Sequence, residues 1–322
     1  MGDRSRIIDI LSRNPEFAFR NGIPRHKSLL SQTQQQTADS FGYKWARRDT
    51  YESDAAMAMQ REWILGRYGL TDGELEDLID GRRFLDAGCG SGQSALLAFG
   101  SNLKDCEYLG VDISESVDVA AQRFHERGIP GDFIQASLLD LPPELGQFDF
   151  IFCEGVLHHT DSPELSVAHL AKRLGPGGIF MFYVYGKKAP AREFVDDYVR
   201  SQIAEMTNDE AWRTLEPLTE LGMALGNLHA EIELSRPITV LGIPAGRIDV
   251  QRLFYWYFCK AFYREDWSLD EMNHVNFDWY RPANCHRQTP AEVQGWLDGN
   301  GLEVLRFNVA LEGISVIARR RS

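Results

Sequence analysis

The sequence predicts a doubly wound α/β fold, in which a mostly parallel sheet is covered by helices on both faces. From residue 82 onward, short apolar stretches alternate with stretches whose apolar residues recur at helical spacing. Such alternation is typical of βαβ units. A glycine-rich turn, "DAGCGSG", follows the first apolar stretch, as a tight strand-to-helix connection requires. The chain has 322 residues, of which 43% are hydrophobic, and can therefore bury a large core.

The elements can be assigned in order along the chain. Residues 54–80 are predicted to form helices, because their apolar residues recur at helical spacing. Five strands are then predicted in "RRFLDAG", "CEYLGVDIS", "GDFIQAS", "FDFIFCEG" and "IFMFYVYG". Helices are predicted at residues 92–99, at 115–127 and after Asp161 and Ser162, where a proline occupies the first turn. The core therefore covers residues 51–186.

Two segments lie outside this alternation. Residues 1–50 are polar and are predicted to be an arm that docks on the body, with a lid over the cofactor as its expected role. Residues 187–288 follow the fifth strand and are predicted to be a mainly helical insertion. Its aromatic run at residues 253–263 is interpreted as core or as a dimer surface rather than a binding site. Residues 289–322 return to the core as a helix, with a capping box of Thr289 and Glu292, and a hairpin.

Composition excludes several classes of function. The net charge is −13, which disfavours nucleic acid as a partner because phosphates require a basic face. The five cysteines are scattered and show no metal-ligand spacing, so neither a metal site nor a disulfide framework is predicted. No stretch has the length of a membrane helix or the character of a signal peptide. A cytoplasmic location is expected.

The glycine turn predicts a ligand that lies against the backbone at the carboxyl end of the first strand. Its GxGxG pattern differs from the GxGxxG pattern of dinucleotide-binding proteins, which disfavours a dehydrogenase. Asp86 precedes the first glycine by two residues, and Asp112 ends the second strand. A carboxylate at the first position suits a cation, and one at the second suits ribose hydroxyls. The expected ligand is a nucleoside with a cationic tail.

These residues resemble the class I S-adenosylmethionine-dependent methyltransferases. The motifs "LDAGCGSG", "GVDIS", "FDFIFCEGVLHH" and "LGPGGIF" occur in the order and at the strand ends that this family shows. The resemblance implies a seven-stranded sheet whose last strand is antiparallel. It also implies S-adenosylmethionine as the cofactor. The residues expected to contact that cofactor are Asp86, Gly88, Cys89, Gly90, Gly92, Asp112, Ile113, Ser137, Leu138, Glu154, Gly155, and, from a closing lid, Tyr43 and Trp45.

The acceptor side is less defined by sequence. His158 and His159 follow the fourth strand, and either could act as a general base, with a structural or cofactor-orienting role as the alternative. Cys89 is interpreted as a packing residue rather than a nucleophile. The residues expected to contact the substrate are Tyr183, Tyr185, Asp278, Tyr280 and His286, with packing of the insertion as their alternative role.

The function that the resemblance implies is methyl transfer to a small molecule, with secondary metabolism or carbohydrate modification as the expected context. The alternatives are a non-catalytic S-adenosylmethionine-binding protein and an enzyme that uses the sulfonium for other chemistry. The expected partner is a small-molecule substrate, without nucleic acid or membrane, and a homodimer is possible.

Overall fold

The computed structural model describes residue 8 and residues 10–321, and this part of the chain contains one large sheet. Its strands are β1 (Phe17–Arg20), β2 (Ile23–His26), β3 (Arg83–Ala87), β4 (Glu107–Asp112), β5 (Asp132–Gln135), β6 (Phe148–Glu154), β7 (Leu174–Tyr185), β10 (Leu302–Val309) and β11 (Gly313–Arg320), with β8 (Glu231–Leu234) and β9 (Gly246–Asp249) in a separate hairpin. The order in the large sheet is β1-β2-β5-β4-β3-β6-β7-β11-β10.

Strands β3 to β7 pair in parallel, which confirms the predicted mostly parallel sheet. Strand β11 pairs antiparallel with β7, as predicted for the last strand. The prediction of seven strands is wrong, because the hairpin β1–β2 extends the sheet beyond β5 to nine strands. Arg25 of β2 pairs with Gln135 of β5. The hairpin covers backbone groups that an open edge strand would leave unpaired.

The helices account for most of the remaining chain. Their bounds are α1 (Gln32–Ala46), α2 (Asp54–Tyr68), α3 (Asp72–Ile79), α4 (Gln93–Phe99), α5 (Ser116–Glu126), α6 (Pro163–Lys172), α7 (Pro190–Ile203), α8 (Asn208–Gly226), α9 (Val250–Tyr257), α10 (Leu269–Tyr280) and α11 (Pro290–Gly299). The predicted capping box of Thr289 and Glu292 starts α11. None of the helices in residues 8 and 10–321 combines the length and apolar character needed to cross a membrane.

Apolar side chains of the central strands are buried on both faces of the sheet. On β3, Leu85 and Ala87 belong to one core cluster, and Phe84 belongs to the other. The first cluster is covered by α6 and α11, and the second by α2, α3, α4 and α5. Because successive residues of a strand point to opposite faces, a sheet covered on both sides requires this continuous apolar sequence.

Residues 187–288 contain the helices α7 to α10 and the hairpin β8–β9. This insertion has its own core, in which Trp212, Phe277 and Trp279 are buried. A parallel bridge between Gly186 and Gln288 closes the insertion at its base. The chain therefore leaves and re-enters the sheet at neighbouring points, so the insertion lies beside the carboxyl end of β7.

Candidate functional site

A cavity of about 720 Å³ lies at the carboxyl ends of β3, β4, β6 and β7. Its walls come from the glycine turn (residues 88–92), from α1 of the N-terminal segment, from α2, and from the insertion. In parallel α/β sheets, ligands bind at this end of the strands because the connecting loops leave a crevice there. The volume lies within the range of small-molecule sites, which is roughly 300–1,000 Å³.

The glycine turn presents its backbone to the cavity at Gly88 and Gly90. Both residues have positive φ, of 86° and 52°. A Cβ at Gly88 would lie 2.3 Å from the side chain of Val156, and one at Gly90 would lie 2.8 Å from the indole nitrogen of Trp45. Both the conformation and the space therefore require glycine. Gly92 precedes α4 and does not line the cavity.

Asp112 ties the end of β4 to the glycine turn. Its carboxylate accepts a hydrogen bond from the backbone N–H of Gly90 at 2.9 Å. It also accepts from the backbone N–H and the hydroxyl of Ser114, at 2.8 and 2.6 Å. The side chain is buried, yet it forms part of the cavity wall. Asp112 therefore places a negative charge where the cavity runs along the turn.

Three other residues predicted at the cofactor also line the cavity next to Asp112. They are Ile113, Ser137 and Leu138. The Ser137 hydroxyl accepts a hydrogen bond from the N–H of Leu139 at 3.2 Å, which starts a short helical turn after β5. Asp140 of that turn, which the sequence did not single out, lines the same wall.

Glu154 and Gly155 line the cavity at the end of β6. The Glu154 carboxylate accepts a hydrogen bond from the hydroxyl of Tyr68 at 2.6 Å and forms an ion pair with Arg67. The Arg67 guanidinium lies 4.0 Å from the ring centre of Tyr183. The carboxylate of Glu154 is therefore already satisfied by protein groups from α2.

Asp86 is buried behind the turn and is not part of the cavity wall. Its carboxylate accepts a hydrogen bond from the hydroxyl of Tyr108 at 2.7 Å. Burial raises the pKa of Asp86 to about 7. Burial also raises the pKa of the Cys89 thiol well above its ordinary value. Cys89 lines the cavity but is thus held as a neutral thiol.

The two histidines have different environments. His158 is fully buried, stacks on Tyr185 with ring centres 3.6 Å apart, and does not line the cavity. His159 lines the cavity, and its Nδ1 lies 2.7 Å from the carbonyl oxygen of Asn284. Since a carbonyl only accepts, Nδ1 donates and Nε2 carries the lone pair. Nε2 has no hydrogen-bond partner in the described part of the chain.

Among the residues predicted at the substrate, Tyr183, Tyr185 and Asp278 line the cavity. Asp278 of α10 accepts a hydrogen bond from the Tyr185 hydroxyl at 2.8 Å and pairs with Lys44 of α1. Burial opposes its ionisation, but the Lys44 ammonium holds the pKa of Asp278 below its ordinary value. The structure does not bring Tyr280 or His286 to the cavity.

The N-terminal segment packs over the cavity through α1. Trp45 lines the cavity against the glycine turn, whereas Tyr43 does not reach it. The Tyr43 hydroxyl instead donates to Asp209 at 2.8 Å, and its ring packs on Phe277 of the insertion. Helix α1 is fixed to the core by Gln34, whose amide donates to the carbonyl of His159 at 3.2 Å.

Sequence reasoning missed a set of cations on the insertion side of the cavity. Lys188, Arg192 and Lys260 all line it. The aromatic run at residues 253–263 also contributes Tyr255 and Trp256 to the wall, in addition to its buried core residues, so its interpretation as only core or dimer surface is incomplete. A lysine placed within that run, at position 260, was the signal available in the sequence.

The sheet order, the glycine turn and the carboxylate after β4 are the features expected of a class I S-adenosylmethionine-dependent methyltransferase domain. Residues 85–180 match the family model described as a methyltransferase domain. S-adenosylmethionine is the cofactor of this class, and the residues here fit it. The turn exposes backbone where a Cβ would fill the space, and Asp112 offers carboxylate oxygens beside it.

Two curated relatives and one solved structure illustrate the similarity. An uncharacterized protein of Synechococcus sp. is 30% identical over 83% of this chain and 54% of its own length. A ubiquinone biosynthesis O-methyltransferase of Chromobacterium violaceum is 32% identical over 45% of this chain and 62% of its own length. The chain thus spans less than two thirds of both relatives. PKMT2 from Rickettsia typhi, solved with AdoHcy, has 16% identity and a TM-score of 0.49, covering 85% of this chain and 55% of that chain.

Proposed function

We propose that this protein transfers the methyl group of S-adenosylmethionine to a small-molecule acceptor. The observation that carries the proposal is the continuity of the cavity, in which residues of the glycine turn and Asp112 share one space with Tyr185, Asp278 and the insertion. The bound cofactor supplies an electrophilic methyl group on a sulfonium. The protein's own task is then to position the two molecules and exclude water.

The cofactor-side residues come from the ends of β3 and β4 and from helix α1. The backbone at Gly88 and Gly90 supports close approach of the ligand, and Asp112 accepts hydrogen bonds at the next strand. Trp45 closes the turn from the opposite side, which supports a role of the N-terminal segment as a lid. Lys44, one residue before, is paired with Asp278 and so joins this lid to the insertion.

On the acceptor side, His159 is the histidine whose side chain lines the cavity. Burial lowers its pKa to about 4, so the ring is neutral at pH 7. Its Nδ1–H donates a hydrogen bond to the backbone carbonyl of Asn284, so Nε2 is free to accept one. A base of such low pKa accepts a proton weakly. We therefore assign His159 the role of accepting a hydrogen bond from the substrate and orienting it, rather than full proton removal.

The proposal is tested by incubating the full-length protein with methyl-labelled S-adenosylmethionine and a metabolite extract. We expect label in a small molecule with the wild type and a large loss with His159→Leu. His169→Leu, at an exposed position on α6 away from the cavity, is the control and is expected to retain the rate. Saturable cofactor binding without labelled product would contradict the proposal and favour a binding protein. Label in protein or RNA would contradict the small-molecule acceptor.

The context of secondary metabolism or carbohydrate modification, the homodimer and the cytoplasmic location stay predictions. Identification of the labelled product tests the metabolic context. Sedimentation of the purified protein tests the homodimer, and fractionation of cells tests the location.

A further inference from the structure

Four cationic side chains lie around the indole ring of Trp279 at the insertion end of the cavity, and all of them except Arg200 line the cavity. We call Lys188, Arg192 and Lys260 the cation cluster. The Nζ atoms of Lys188 and Lys260 lie 5.5 and 4.9 Å from the ring centre of Trp279, and the Arg192 guanidinium carbon lies 5.2 Å from it. Arg192 is 1% exposed and Lys260 is 6% exposed. Positive charges are thus gathered where little water can solvate them.

The cluster has donors that the protein does not use. Within residues 8 and 10–321, one terminal nitrogen of Arg192, Nη1, is buried without a hydrogen bond. The Lys188 ammonium donates only to the uncharged backbone carbonyls of Leu311 and Glu312, at 2.8 and 2.6 Å. A buried donor without a partner is costly, so these groups favour a ligand that accepts hydrogen bonds.

The carboxylate of Asp196, which faces the cluster, already accepts several hydrogen bonds from protein groups. Asp196 pairs with Arg192 at 3.1 Å. It also accepts hydrogen bonds from the Trp279 indole at 2.8 Å, the Tyr280 hydroxyl at 2.7 Å and the backbone N–H of Lys260 at 3.1 Å. This carboxylate has little capacity left for the two lysines.

Other charges on the cavity wall do not remove the positive excess. Glu312 lines the cavity, and its negative charge raises the pKa of Lys188 more than the charge of any other acid does. Burial and the positive charges of Arg192 and Lys260 each have a larger, opposite effect on that pKa. Glu154 and Asp278 are paired with Arg67 and Lys44. Arg252 lines the cavity as a further cation. Burial lowers the pKa of both lysines to about 7, with a further lowering by the positive charge of Arg192; the carboxylates of Asp278 and Asp196 offset this only in part at Lys260.

The position of the cluster assigns it to the acceptor. Lys188 follows β7, and Arg192 and Lys260 belong to the insertion, whereas the glycine turn and Asp112 follow β3 and β4. In the sheet, β6 separates β3 from β7. Residues of the cofactor side and the cation cluster thus lie at opposite ends of the row of strands that forms the cavity floor.

We propose that the acceptor is an anionic small molecule whose carboxylate or phosphate group is bound by Lys188, Arg192 and Lys260. This inference rests on the proposed function, because it names the class of substrate for the same cavity. The anion would offset the mutual repulsion of the cluster and accept the unused N–H groups. Charge-assisted hydrogen bonds of this kind are about twice as strong as neutral ones.

The test uses the full-length protein saturated with S-adenosylhomocysteine and titrated by calorimetry. The probes are 4-hydroxybenzoate, phenyl phosphate and the neutral 4-hydroxybenzamide. We expect at least one anion to bind, and the amide to bind about ten-fold more weakly or not at all. Lys188→Gln and Lys260→Gln should each weaken the anion about ten-fold. Lys172→Gln, at an exposed position on α6, should have no effect.

Several results would overturn the inference. These are equal binding of the amide, no measurable binding of either anion, or anion binding that survives both lysine substitutions. A loss of S-adenosylhomocysteine affinity in the lysine variants would assign the cluster to the cofactor's own carboxylate and would also overturn it. Failure of the wild type to bind S-adenosylhomocysteine would instead contradict the proposed function. The same titration without cofactor would then decide the charge of the ligand.

Discussion

The indole of Trp45 lies against Gly90, so that a Cβ added to Gly90 would come within 2.8 Å of the indole nitrogen. Trp45 belongs to the N-terminal helix α1, and Gly90 lies in the turn between β3 and α4. This contact brings a segment more than forty residues away in sequence onto the backbone that the cofactor is expected to touch. The glycine turn and helix α1 therefore pack directly against each other.

The first prediction concerns Gly90→Ala. Alanine at a φ of 52° is strained, by about 1–3 kcal/mol, and its Cβ also displaces Trp45. We expect lower stability and a cofactor affinity reduced by about ten-fold or more, measured by thermal unfolding and by titration with S-adenosylhomocysteine. Gly69→Ala is the matched control, because Gly69 has a left-handed φ of 60° and a Cβ there would lie no closer than 3.7 Å to another residue. Equal effects of the two substitutions would show that the Trp45 contact is unimportant.

The second prediction concerns Asp112→Asn. The amide keeps the size of the side chain but removes the charge that accepts from Gly90 and Ser114. We expect cofactor affinity to fall by about 1–3 kcal/mol through weaker charge-assisted hydrogen bonds, as read by calorimetry. Asp118→Asn on α5, which pairs with Arg25 and does not line the cavity, should leave the affinity unchanged. Unchanged affinity in Asp112→Asn would contradict the assignment.

The third prediction is a pH dependence of stability caused by Asp86. The folded-state pKa of about 7 lies above the ordinary value of 3.8, so the folded protein holds this proton more tightly than the unfolded chain. The stabilisation is complete below pH 3.8 and is lost as the pH rises through about 7. The gap corresponds to roughly 4 kcal/mol at most. Asp86→Asn should therefore raise the free energy of unfolding at pH 8 and change it little at pH 4.

The check is urea unfolding at both pH values, with Asp77→Asn at an exposed position of α3 as the control. Lower stability of Asp86→Asn at pH 8 would contradict the prediction. The same variant also tests the assignment of Asp86 to the cofactor. If Asp86 contacts the methionine moiety, the variant loses cofactor affinity, and if it only supports the turn, affinity is retained.

The fourth prediction concerns the ion pair of buried Lys44 with half-buried Asp278, which joins α1 to the insertion. Lys44→Met leaves the Asp278 carboxylate uncompensated, and we expect a loss of about 3–5 kcal/mol in the free energy of unfolding. Adding Asp278→Asn should recover part of this loss, as a double-mutant cycle would measure. Arg61→Met breaks an exposed ion pair with Asp72 and should cost less than about 1 kcal/mol. Additive effects of the Lys44 and Asp278 substitutions would contradict the coupling.

The core elements were predictable because their signals are local. The strands from β3 to β7, the capping box that starts α11 and the terminal hairpin all follow from periodicity, glycine and capping residues. The hairpin β1–β2 was not predicted, since its two strands have four residues each and pair with the sheet at one register position. A local signal was nevertheless present, because Asn21 and Gly22 have positive φ of 55° and 77° and Asn-Gly favours a two-residue hairpin turn.

For the site, sequence by itself determined the glycine turn and the carboxylate that ends β4, because a strand end and the turn after it are set by neighbours along the chain. Only the tertiary structure decided that Asp86 lies behind the turn, that His159 rather than His158 lines the cavity, and that Lys188, Arg192 and Lys260 meet around Trp279. Which way a side chain points into a shared cavity depends on packing between distant segments. That packing has no periodic signature in the sequence, since its partners are separated by dozens of residues.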